Sequence, residues 1–183
     1  MLRSKRVALI GVFTALGVSM RLAKHVLLGP IQFINIPAIF TIIAGALIGP
    51  VGGFIVGVGI FVISDMYILP GIWTVMTSFT MGLVGYFSGL IWHKRQRIDK
   101  LELIVIGYLM MLFYDIVTSI VLYIIIGFPI LYAIVIGIIG LFFPVAGGYM
   151  VGIGVLTEVL TVLTISLLLP YIKENVTEVS ELE

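Results

Sequence analysis

Apolar positions run almost without interruption from Val7 to Tyr171, and polar or charged positions fall in short islands between them. A bilayer-spanning helix needs roughly 20 apolar residues, and breaks in the pattern divide the chain into six predicted spans. These cover about 5–28, 34–48, 51–69, 72–92, 101–126 and 149–169. The breaks carry residues that end helices: Gly29-Pro30, Gly49-Pro50, Pro70-Gly71, Gly127-Phe128-Pro129 and Pro170. Pro37 is tolerable in the first turn of the second span. The stretch 130–143 is apolar but short for a crossing, and reads as a packed or re-entrant helix between spans five and six. The expected fold is therefore an all-α integral membrane protein, a six-transmembrane-helix bundle. Residues 1–172 form a single transmembrane domain and 173–183 an acidic cytoplasmic tail that frays. The basic N-terminus followed by an apolar run reads as a retained first span, because the run is too long for a signal peptide.

Charge sets the orientation. Arg3, Lys5 and Arg6 form one basic cluster, and Lys94, Arg95, Arg97 and Lys100 form a second in the only long polar loop, 93–100. The positive-inside rule puts both in the cytoplasm. Both termini are then cytoplasmic, and the connections near 29–33, 66–72 and 127–148 face outward. The last of these is apolar, so it must pack on protein or line a cavity.

Composition narrows the function classes. Only 10% of residues are charged, against about 25% in soluble domains. A net charge of +1 argues against a nucleic-acid partner. With no cysteine and only His25 and His93, thiolate chemistry and a histidine-rich metal site are excluded. The chain contains no P-loop, H-E-x-x-H or G-x-S-x-G motif, so neither ATP hydrolysis nor a familiar hydrolase is expected of it. No arginine-rich voltage-sensor helix or selectivity-filter repeat is present either.

Against this apolar background the ionisable residues Arg21, Lys24, Asp65, Asp115 and Glu158 stand out. Such groups are costly in a bilayer and mark function or internal pairing. Asp115 and Glu158 fall near mid-depth, and Asp65 lies toward the outer end of span three. Arg21 could pair with Asp65 or with Glu158. Lys24 and His25 read as interface snorkelling. Trp73, Thr74, Thr77 and Ser78 share one helical face, and an aromatic with convergent hydroxyls can hold a small, partly flat molecule. Small residues recur at four-residue spacing: Gly11, Ala15 and Ser19; Gly45 and Gly49; Gly53 and Gly57; Gly85 and Gly89; Gly148 and Gly152. That spacing lets helix backbones approach closely in lipid. Most of these pairs suit internal packing, whereas the Gly11 ladder, near the cytoplasmic end, suits either packing or a docking partner.

Several of these features together resemble the substrate-binding S component of an energy-coupling-factor (ECF) vitamin transporter. The resemblance spans essentially the whole chain. It rests on size, the six-span layout and the Gly11 and Ala15 ladder. It rests also on the passage from Ile36-Pro37-Ala38 through Gly52-Gly53 to Ser64-Asp65, on Pro70-Gly71, and on Tyr114-Asp115 with Thr118 before Gly127-Phe128-Pro129. It implies a membrane subunit that binds a vitamin in an outward-facing pocket and meets a transmembrane coupling subunit and two ATPase subunits. Those partners supply ATP-driven reorientation, and no cofactor is implied. The pocket would take Trp73, Thr74, Thr77, Asp115, Thr118, Tyr123 and Glu158, with Asn35 and Gln32 in the first outer loop, which acts as a lid in the family, and Asp65 nearby. Docking would use Gly11, Ala15 and Ser19. The resemblance leaves the cargo open among riboflavin, thiamine or its pyrimidine precursor, biotin, folate and cobalamin, with a slight lean to a neutral or donor-rich heterocycle such as riboflavin. The competing classes are a proton-coupled secondary transporter relaying through Asp65, Asp115 and Glu158, and a non-transport membrane scaffold.

Overall fold

The structure, a computed structural model, describes residues 3–29, 31–68, 70–142, 145–147, 150–152 and 154–181. It is built of helices α1 (Arg3–Leu28), α2 (Ile36–Ile48), α3 (Pro50–Ile68), α4 (Ile72–Trp92), α5 (Lys100–Ile116), α6 (Leu122–Ile125), α7 (Ile130–Phe142) and α8 (Gly154–Glu181). A π-helical turn, Val117–Val121, joins α5 to α6. Among the described residues, five helical segments are long and apolar enough to cross a bilayer: Ser4–Leu28, Pro50–Ile68, Ile72–Trp92, Lys100–Ile125 and Gly154–Asn175.

Helix α2 is shorter than the expected second span. Asn35 caps it, its side-chain oxygen accepting from the Ala38 amide, and Pro37 sits in the first turn, where a missing N–H costs nothing. Gly49, at φ +101°, ends it in a conformation that favours glycine. The 13 residues between span about 20 Å, less than the roughly 30 Å of a bilayer core. Most of α2 is buried, including Ala38, Ile42, Ala44 and Ala46. It is thus a central helix wrapped by α1, α3, α4 and α8 rather than a lipid-facing one.

The reversal at Gly49-Pro50 folds α3 back along α2, and α4 packs against both. Glycines make this possible. A Cβ on Gly53 would fall 2.6 Å from the Gly45 Cα and into the Gly85 carbonyl; one on Gly57 would fall 2.7 Å from the Met81 carbonyl oxygen. The paired glycines of the three helices therefore meet backbone to backbone. Ser88 adds a bond to the Ile42 carbonyl at 2.6 Å. Around this seam Ile42, Met81, Trp92, Leu103, Met111 and Ile165 form the main core. A second cluster of Ala44, Ile48, Val56 and Ile60 receives α1 through Ile10 and Phe13.

Two features depart from the expected layout of elements. Strands β1 (Ile31–Gln32), β2 (Val145–Gly147) and β3 (Met150–Gly152) form one small sheet in the order β1-β3-β2. Ile31 pairs with Val151 in parallel, and Ala146 with Val151 in antiparallel register. This sheet pairs backbone groups of the first outer connection with those of 150–152, residues expected at the start of span six, whose helix begins instead at Gly154. The second departure is at Pro170, the expected end of span six, which α8 runs through to reach Glu181. The segment expected to fray is helical across the 172/173 boundary. Lys173 anchors this passage: its Nζ donates to the Trp92 carbonyl and, at 2.6 Å, to the Arg95 carbonyl, capping the end of α4. Arg6 and His93 both border Gly49, so the start of α1, the α2–α3 turn, the end of α4 and the Lys173 turn share one end of the bundle.

Candidate functional site

Three acids are candidates inside the bundle, and their surroundings differ. Asp65, 2% exposed, is fully engaged. One oxygen pairs with the Arg21 guanidinium at 2.6 Å and the other accepts from the Thr74 hydroxyl at 2.7 Å. Arg21 also donates to Ser64 and lies over the Phe61 ring, 4.4 Å from its centre. The pairing foreseen for Arg21 is thus made with Asp65. Phe61 in turn packs on Tyr114, ring centres 6.2 Å apart, which carries the cluster from α1 and α3 to α5.

Glu158 is just as buried, at 2% exposure, yet neither carboxyl oxygen has a partner at hydrogen-bond distance. Asp115 and the Tyr108 hydroxyl lie close enough to interact with it electrostatically across the α5–α8 seam. Asp115 is half-buried. A buried acceptor without a donor is expensive, so this seam is where the bundle is chemically incomplete.

The hydroxyls singled out on α4 and α5 are mostly spent on backbone. Thr77 donates to the Trp73 carbonyl at 2.7 Å, Ser78 to Val75 at 3.1 Å and Thr118 to Tyr114 at 2.9 Å. Thr74 accepts from the Gly71 amide while donating to Asp65. The Trp73 ring covers Gly71. Tyr123 packs edge-on against Phe128, with ring centres 5.6 Å apart. Thr118 sits in the π-helical turn, a feature frequent at functional sites.

Asn35 does not present its side-chain oxygen to a cavity, because that oxygen caps α2. Its backbone N–H donates to the Thr161 hydroxyl at 2.8 Å, and Thr157 donates to the Gln32 carbonyl at 3.0 Å. The first outer connection is therefore held to the helix that carries Glu158. Asn35→Ala removes the cap and is expected to lower stability by about 1 kcal/mol, read as a lower melting temperature in detergent.

The structure thus joins Asp65 with Thr74, and Asp115 with Glu158, and places Asn35 one turn of α8 from the acid pair. Tyr108, Thr157 and Thr161 are additions that residue-by-residue reading missed. A signal existed: Thr157, Glu158 and Thr161 crowd one stretch of an apolar helix, and Tyr108 stands seven residues before Asp115, on the same helical face.

On α1 the ladder residues Gly11, Ala15 and Ser19 are all exposed, and a Cβ on Gly11 would meet nothing within 4 Å. Gly17, on another face of the same helix, instead packs on Ile60 of α3.

Long apolar helices packed on one another through glycines define a multi-pass membrane protein. The chain matches the family described as ECF-type riboflavin transporter, S component, over residues 1–164, and it belongs to that family. It is accordingly a substrate-binding subunit of a transporter and not an enzyme. The match takes in every candidate site residue and the α1 ladder. No curated protein and no solved structure matches the chain.

Proposed function

We propose that this subunit binds riboflavin from the outer side of the cytoplasmic membrane and delivers it to an ATP-driven import complex. The family match over residues 1–164 carries the reading. In this topology the short α2, together with the connections at its two ends, makes the sixth crossing. The placement of Arg6, Gly49, His93 and Lys173 at one end of the bundle supports it. That end is cytoplasmic by its basic charge and holds both termini.

The cargo site is the outer half of the bundle. Asp115, Glu158, Thr118 and Tyr123 contribute from α5, α6 and α8, and Trp73, Thr74 and Thr77 from α4. Asn35 and Asp65 border it and hold its frame. The exposed Gly11, Ala15 and Ser19 face is where a transmembrane coupling subunit docks, and that subunit brings two ATPase subunits. Energy comes from those partners.

Native mass spectrometry of the detergent-purified protein tests the cargo. A co-purified flavin is expected, and riboflavin should raise the melting temperature of the stripped protein. An empty protein that shows no shift with riboflavin would remove the cargo assignment.

A further inference from the structure

We propose that Glu158 and Asp115 are the cargo-discriminating acceptors of the site, and that they take the hydroxyl-bearing ribityl chain of the flavin rather than its ring. This inference rests on the riboflavin reading above. It starts from the contrast between the buried acids. Asp65 already has a guanidinium and a hydroxyl, whereas both Glu158 oxygens are buried without a donor. Asp115 faces the same seam. Among the described residues, Arg21 is committed to Asp65 and Ser64, and the nearby hydroxyls of Thr118 and Thr161 donate to their own helices. The Tyr108 hydroxyl lies near Glu158 but outside hydrogen-bond geometry with either oxygen, so among the described residues the seam offers more acceptors than donors.

A carboxyl pair of this kind is matched by a ligand that can turn several donors toward it. The hydrogen-bonding edge of the flavin ring cannot: it presents one N–H between two carbonyl oxygens, and those oxygens would face the carboxyl oxygens. The ribityl chain can, since each hydroxyl rotates to donate. A buried acceptor left unpaired by a ligand that lacks the donor is penalised. Sites built to bond a hydroxyl discriminate strongly against analogues without it.

The test compares riboflavin with lumiflavin, which keeps the ring and lacks the polyol, by fluorescence titration of the purified full chain. Wild type is expected to favour riboflavin by at least about tenfold, the worth of one hydrogen bond to a charged group. Glu158→Gln is expected to narrow that preference by about tenfold by weakening riboflavin alone. Asp115→Asn should act in the same direction and serves if the first variant does not fold. An unchanged riboflavin affinity in the folded variant, or an equal loss for both flavins, overturns the assignment. A wild-type protein that binds neither flavin overturns the cargo reading instead.

Discussion

Gly53→Leu is expected to leave little folded protein, while Gly11→Leu leaves the fold intact and breaks assembly. The two glycines look alike in sequence, each followed four residues later by another small residue. Their surroundings are opposite. A side chain on Gly53 has nowhere to go: the Gly45 Cα and the Gly85 carbonyl occupy the position of its first carbon. Overpacking against side chains costs about 1–3 kcal/mol. Here the obstacle is the backbone of two helices, which moves only if α2, α3 and α4 separate. We expect a loss of at least about 3 kcal/mol, or a melting temperature lower by about 6–12 °C. Intrinsic tryptophan fluorescence during heating in detergent reads this. A side chain on Gly11 meets open space, so the same measurement should shift by less than about 0.5 kcal/mol. Co-purification with the coupling subunit should fall sharply, because helix backbones that meet at small residues cannot approach past a leucine. If Gly11→Leu still co-purifies in normal yield, the docking face is not this one.

The contrast shows what could be read from residues alone. Periodic small residues announced close helix packing, but spacing does not say which partner a face meets. Of the five sets, three turned inward and one outward only once the Gly49 turn had folded α3 onto α2; Gly148, of the fifth, lies outside the described residues. Helix existence was legible because apolar length is dictated by the bilayer. Helix ends were less so. Pro170 has the local chemistry of a stop, yet Lys173 holds the following turn against the carbonyls of Trp92 and Arg95, a contact 78 residues distant in sequence. The small sheet was invisible for a related reason. Strands of two and three residues carry no periodicity, and β1 finds its partner across most of the chain. At the site, the ionisable residues were found because charge is rare in such a sequence. Which of them was already paired depended on the third dimension.

Arg21→Met alone is expected to be among the most damaging single changes, and Arg21→Met combined with Asp65→Leu to recover most of the loss. The reasoning concerns desolvation. Both charges lie inside the bundle, with side chains 10% and 3% exposed. Removing one leaves the other buried without compensation, which costs about 3–5 kcal/mol. Removing both substitutes an apolar contact for an ion pair whose own desolvation offset most of its attraction, and such replacements are often neutral. Thr74 would lose an acceptor but keeps the Gly71 amide, and the Phe61 ring would receive a methionine in place of a guanidinium. Thermal unfolding of the two single variants and the double variant gives the coupling energy directly. Riboflavin affinity of the folded double variant adds a second reading. If Asp65 only holds α1 against α3 and α4, affinity survives in the double variant. If stability is unchanged in the single variants while affinity collapses, Asp65 belongs with Asp115 and Glu158 among the groups that meet the cargo.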